Sequence, residues 1–184
     1  QVVQQPYRPA GFPTNWGPNT SFPGGVVPAD YEMDMDPLRV DPNNTNSAID
    51  PTKLQRLKEG LREIPTITIA MKLDDLFGTN GLHQRSAVET GTPGTKPENK
   101  KPCSVEMILP DGTTAFATTC GIDLHGNASR NPLKNPKHGF KLKFKGDFGA
   151  STLSYPLFPE SPVREYDDDL LRADFNSSWR HWSD

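Results

Sequence analysis

Two hydrophobic periods alternate along the chain once residue 50 is passed. Asp50-Pro51 opens the first, because Asp is a preferred N-cap and Pro suits the first helical position. Leu54, Leu57 and Leu61 then recur at helical spacing with Lys and Arg on the opposite side, which predicts an amphipathic helix ended by Pro65. Thr66 to Met71 alternates instead, with Ile67 and Ile69 on one face, and reads as a strand. Leu76-Phe77-Gly78 predicts a short turn that buries two apolar groups, and the polar stretch 85–100, with Gly91, Pro93 and Gly94, predicts a flexible loop. Two strand-like runs flank Pro110-Asp111-Gly112-Thr113, and the second continues through Gly121 to His125. Phe140, Leu142 and Phe144 alternate strictly with Lys141, Lys143 and Lys145, which predicts a further strand with one apolar and one cationic face.

Residues 1–50 lack either period. Gly11-Phe12-Pro13 and Gly24-Gly25 punctuate them, and X-Pro steps favour extended backbone. Tyr7, Phe12, Trp16, Phe22 and Tyr31 are more aromatics than a linker ordinarily carries, so we expect a docked arm, on this domain or on a neighbouring subunit, with a linker as the alternative. The expected fold is α+β: mainly antiparallel β-sheet over 51–184, with one N-terminal helix and a long extended Pro-rich arm over 1–50. Composition agrees, since 19 prolines and 15 glycines in 184 residues require much loop. A net charge of −3 gives no electrostatic footprint for nucleic acid, and no apolar run approaches the roughly 20 residues of a membrane-spanning helix. The chain opens at Gln1 without a leader, which leads us to expect a processed secreted protein or a piece of a larger one.

The hairpin carries the sharpest local signal. Asp-Gly as a two-residue loop favours a type I′ turn. With Asp111-Gly112 as that loop, Pro110 faces Thr113 and Cys103 faces Cys120. Alternation outward from the turn makes the cysteines a non-hydrogen-bonded pair, with Cα atoms about 4.5 Å apart. A Cys103–Cys120 disulfide is therefore expected, implying an oxidising compartment. Two reduced, buried thiols are the alternative. No metal site is expected at two thiols without a histidine beside them.

After the hairpin, Gly126-Asn127-Ala128-Ser129-Arg130 is a loop of small and polar residues ending in a cation, and Pro136-Lys137-His138-Gly139 leads into the lysine-striped strand. A strand, a small-residue turn and a lysine-bearing strand can cradle phosphate. They can equally be a turn and a solvated or edge-protecting face.

Four ordered blocks sharpen this reading: GIDLHGNASR, PKHGFKLKFKGDFG, LSYPLF and DDDLLRADFNSSW. Together, over roughly residues 65–182, they resemble the CotH kinase family of atypical protein kinases. The resemblance implies a kinase-like N-lobe and ATP-dependent phosphorylation of Ser or Thr on an extracellular or coat protein, with ATP and Mg²⁺ as cofactors. It places Asn127, Ser129 and Arg130 in the phosphate-covering loop, with Lys137 as the phosphate-contacting cation and Lys141 second. Arg172 and Asn176 are candidates to orient the site or to support the fold. Gly139 departs from the family's usual Ser. No catalytic residue is assigned, because the family's base and metal-holding carboxylates lie downstream of the Asn-x-x-Trp block. No kinase activity is therefore expected from these residues alone.

Asp167-Asp168-Asp169 reads as a solvated loop before a strand rather than as a metal site, and His125 and His138 could converge across the loop. The alternative function is a non-catalytic assembly module of a cell-surface or matrix protein, with residues 1–50 as a strap. The expected partners are thus a protein substrate or assembly partner, the remainder of the kinase domain, or neighbouring subunits.

Overall fold

The computed structural model describes residues 8, 10–16, 27–29, 31, 35–83, 99–126, 130 and 138–172. Its centre is a five-stranded antiparallel sheet in the order β3-β4-β5-β6-β9. The strands are β3 (Thr66–Ala70), β4 (Lys101–Ile108), β5 (Thr114–His125), β6 (Gly139–Lys143) and β9 (Asp168–Leu171). β7 (Leu153–Ser154) and β8 (Glu165–Tyr166) form a separate two-stranded ladder between β6 and β9 in sequence. The fold is thus mostly antiparallel sheet with few helices.

The first helix forms where its signals predict. α1 spans Pro51–Glu63, and the Asp50 carboxylate caps it by accepting from the Thr52 and Lys53 amides. Leu54, Leu57 and Leu61 are half-buried along one side of it. Leu73–Phe77 is a short second helix, α2, where the sequence suggested only a turn. The described part of residues 1–50 is not simply extended. β1 (Asn15–Trp16) pairs with β2 (Val27–Pro28), Asp36–Leu38 makes a 3₁₀ turn, and Arg39 bridges to Ile49. Phe12 and Tyr31 pack edge-on to each other at 5.3 Å, and both lie against Phe77 of α2, at 5.1 and 6.5 Å. These arm residues therefore dock on their own domain. Most of the predicted loop 85–100 lies outside the described residues.

Strand alternation sorts the sheet into two faces. Val105, Cys120, Ile122, Leu124, Leu142 and Phe144 are the buried centre of one face. Leu82 and Leu153 join them, and Ile69, Phe116, Phe140 and Leu171 pack around the rim. The apolar stripe Phe140, Leu142, Phe144 points into this core, as its period predicts. β6 lies between β5 and β9, so its lysines are on an interior strand and not on an edge.

The β4–β5 hairpin departs from expectation twice, and the two departures cancel. In a two-residue Asp-Gly loop, Pro110 would donate its N–H to Thr113, and Pro has none. The turn moves back one residue instead. Gly112 N–H donates to Leu109 O at 2.9 Å, Leu109 N–H donates to Thr113 O at 2.9 Å, and Gly112 takes φ +85°. This is a three-residue loop with Gly in the left-handed position. The ladder then shifts between Met107 and Ile108, where Met107 faces Phe116 but Ile108 faces Thr114. Ala115 is the extra residue of a β-bulge. The bulge restores the lost step, and Cys103 faces Cys120 after all.

Candidate functional site

The second face of the sheet carries charge at its β5–β6–β9 end. Gly121, Asp123 and His125 of β5 share it with Lys141 and Lys143 of β6 and with Asp168 and Leu170 of β9, by register. Lys141 Nζ lies 2.7 Å from the Asp168 carboxylate, with about a third of each side chain exposed. Lys143 Nζ lies 3.7 Å from Asp123, and that pair is largely buried. Asp123 also accepts the Leu124 amide at 2.8 Å. Asp168 and Asp169 thus belong to β9, not to a solvated loop. The Asp167 carbonyl accepts the Phe144 amide at 2.8 Å.

At the end of β5 the chain turns at Gly126, which has φ +104°, a conformation favoured by glycine. Arg130 reaches back and donates from its guanidinium to the Leu124 carbonyl. His138 bonds the Arg130 carbonyl through Nε2 at 2.9 Å. His125 sits among Lys141, Arg130 and Arg172, with Asp168 opposing them. Burial, then these three cations, holds its pKa below the usual imidazole value. Three cations thus act on the exposed last residue of β5, beside a backbone turn with a positive-φ glycine.

Of the five predicted binding residues, Arg130 and Lys141 are described, and both are among these cations. Asn127, Ser129 and Lys137 lie outside the described residues, as does Asn176. Arg172 is the third. His125 is the member that sequence reasoning did not assign to the anion site. Its signal was available: it closes the same strand that leads into the glycine turn. His125 is exposed at the end of β5, whereas His138, which could have met it across the loop, is buried. His138 instead meets His83, ring centroids 4.7 Å apart and nearly perpendicular, with both residues buried. Phe77 and Phe140 flank His83 at 5.0 and 6.4 Å.

An open groove of about 510 Å³ occupies the same sheet face farther along, lined by Thr68, Ala70, Ser104, Glu106, Ala117 and Thr119 among others. Thr119 precedes His125 by six positions, about 20 Å of strand, so groove and cations are separate features. Among the described residues no three His, Cys, Asp or Glu side chains gather as a metal-ligand set, and no helix is long and apolar enough to cross a membrane.

The cysteines face each other in the core. Their Sγ atoms are 3.6 Å apart, both are free thiols, and both are buried. Hydrogen bonds on either side settle the ladder's alternation. The Thr119 carbonyl accepts the Ala150 amide at 3.1 Å, and Phe144 donates toward β9. Thr119 and Gly121 therefore point their backbone groups away from β4, and Cys120 points its groups toward it. Cys103–Cys120 is a hydrogen-bonded pair, not the non-hydrogen-bonded pair expected from a two-residue loop.

Comparison with family models, with curated proteins and with solved structures gave no match.

Proposed function

We propose that this chain is the N-terminal, nucleotide-binding portion of a secreted CotH-like protein kinase, with a kinase-like N-lobe built on the five-stranded sheet. Its implied activity is ATP-dependent phosphorylation of Ser or Thr on an extracellular or coat protein. These 184 residues are not active alone on this reading. The observation that carries it is that Arg130, Lys141 and Arg172 all act electrostatically on His125, next to the Gly126 turn. Cations beside a glycine turn suit phosphate oxygens. The residues fit the phosphates better than the metal: the nearest carboxylate, Asp168, already faces Lys141. Lys137, Asn127 and Ser129 complete the binding set by the family resemblance alone. Secretion into an oxidising compartment, where the Cys103–Cys120 pair can bridge, belongs to the same proposal.

A second reading has its own support. Arg130 bonds the Leu124 carbonyl and Lys141 meets Asp168, so both cations already serve the fold. That favours a non-catalytic assembly module on the same scaffold. Thermal melting separates the two. Millimolar ATP with Mg²⁺ raises the melting temperature on the kinase reading, and Lys137→Ala removes the rise. No shift, in parent and variant alike, favours the assembly module.

A further inference from the structure

We propose that Cys103 and Cys120 form a reversible thiol–disulfide switch, and not a permanent staple. The geometry rests on register. The two residues are direct partners across β4 and β5, in a hydrogen-bonded pair. Such pairs hold their Cα atoms about 5.5 Å apart, against about 4.5 Å at the alternate position. That Cα spacing is one a bridge accepts, but the Cβ atoms of such pairs sit toward the wide end of the roughly 4.5–5.5 Å cross-strand range, whereas a relaxed bridge needs about 3.5–4.5 Å between them. Bridging therefore pulls the two Cβ atoms toward each other within a ladder whose hydrogen bonds hold them apart. A bond closed under that strain is more readily reduced than a relaxed one.

Access comes from the start of β4. The last β3 pair is Ala70 with Ser104, so Lys101, Pro102 and Cys103 lie past the end of the β3 ladder. Pro102 has no N–H to give a ladder. Local opening costs least at such a strand end. Both cysteines are buried, and Cys103, at 5% exposure against 1% for Cys120 and nearer this strand end, is the one that such opening uncovers first. The Cys120 S–H can hydrogen-bond its thiolate, which lowers the Cys103 pKa despite burial. Cys120 is pushed up by that same bond, by burial and by Cys103.

The step balances with a small-molecule disulfide, such as oxidised glutathione, as oxidant. The Cys103 thiolate attacks one glutathione sulfur and expels the other as thiolate, leaving a mixed disulfide. The Cys120 thiolate then attacks the Cys103 sulfur and expels the second glutathione. Two protein thiols are oxidised by two electrons, one glutathione disulfide is reduced to two thiols, and the protons pass from the cysteines to the released thiolates.

The test needs no variant. The folded chain, without denaturant, is equilibrated in glutathione buffers of rising oxidised fraction, starting once from the dithiol and once from the bridged form. The products are alkylated and weighed. The switch predicts that both starts converge on the same mixture, with both forms populated within the series. It also predicts that iodoacetamide modifies Cys103 before Cys120. A chain that forms no bridge in fully oxidised glutathione overturns the proposal. So does a bridge that survives a large excess of reduced glutathione in the folded chain. The readout is independent of nucleotide, so its failure is distinct from failure of the kinase reading.

Discussion

Asp123 and Lys143 meet diagonally across the β5–β6 ladder, one pair out of step, with their charged ends 3.7 Å apart. Lys141, the direct partner of Asp123, turns to Asp168 instead. The two ion pairs thus run as parallel diagonals and tie three strands together on the second face. Their burial differs, and so does what each contributes. A largely buried carboxylate left without its cation costs about 3–5 kcal/mol, whereas a pair exposed by a third contributes about 1 kcal/mol or less. Lys143→Ala should therefore destabilise the fold by about 3 kcal/mol, and Lys141→Ala by no more than about 1 kcal/mol. Urea unfolding of both variants checks the order. Equal losses would show that the Asp123 environment is wetter than its burial indicates.

Phe144 is fully buried at the centre of the apolar face, just past β6. Truncation leaves a cavity that neighbouring strands cannot close, so Phe144→Ala should cost about 3–5 kcal/mol. Phe158, exposed at 59%, is the control. Phe158→Ala should move the urea midpoint little, within about 0.5 kcal/mol.

The His83–His138 contact makes stability depend on acid. Burial first, and His138 second, hold the His83 pKa down to about 3. The unfolded chain titrates near 6.5, so it binds more protons than the native state between those values. The stabilisation is complete above about pH 6.5 and is lost as the pH falls toward about 3. His83→Phe, placed among Phe77 and Phe140, should flatten that acid limb while keeping the neutral-pH stability. Chemical denaturation at a series of pH values measures it. Parallel pH profiles for parent and variant would assign the acid sensitivity elsewhere.

Local signals carried far in this chain where they were strong and short-range. Asp50-Pro51 starts the helix it predicts, and the Phe140, Leu142, Phe144 alternation names the core face. The hairpin shows a subtler lesson. Cys103 faces Cys120, yet through a turn shifted by the missing Pro110 N–H and a bulge at Ala115 that undoes the shift. The residue pairing survived, and its hydrogen-bond parity did not. Nothing in the strand sequences announces a bulge, because it relieves a constraint set at the turn. Long-range placement was less legible. Arg130 and Lys141 do gather at one strand end, but the salt bridge to Asp168 depends on β9 pairing with β6 across more than twenty residues. The His83–His138 contact joins segments on either side of the hairpin, and spacing alone cannot reveal that.

The central claim is that the cations around His125 receive nucleotide phosphates. Isothermal titration of the folded chain with Mg²⁺-ATP tests it most directly, alongside Arg130→Ala, Lys141→Ala and a titration with adenosine. Loss of one charge-assisted contact is about 1.5–3 kcal/mol, or tenfold and more in affinity. The account predicts measurable ATP binding by the parent, weakened about tenfold or more in each variant, with adenosine binding weaker than ATP. ATP binding unchanged in both variants, or no binding at millimolar ATP, would contradict it.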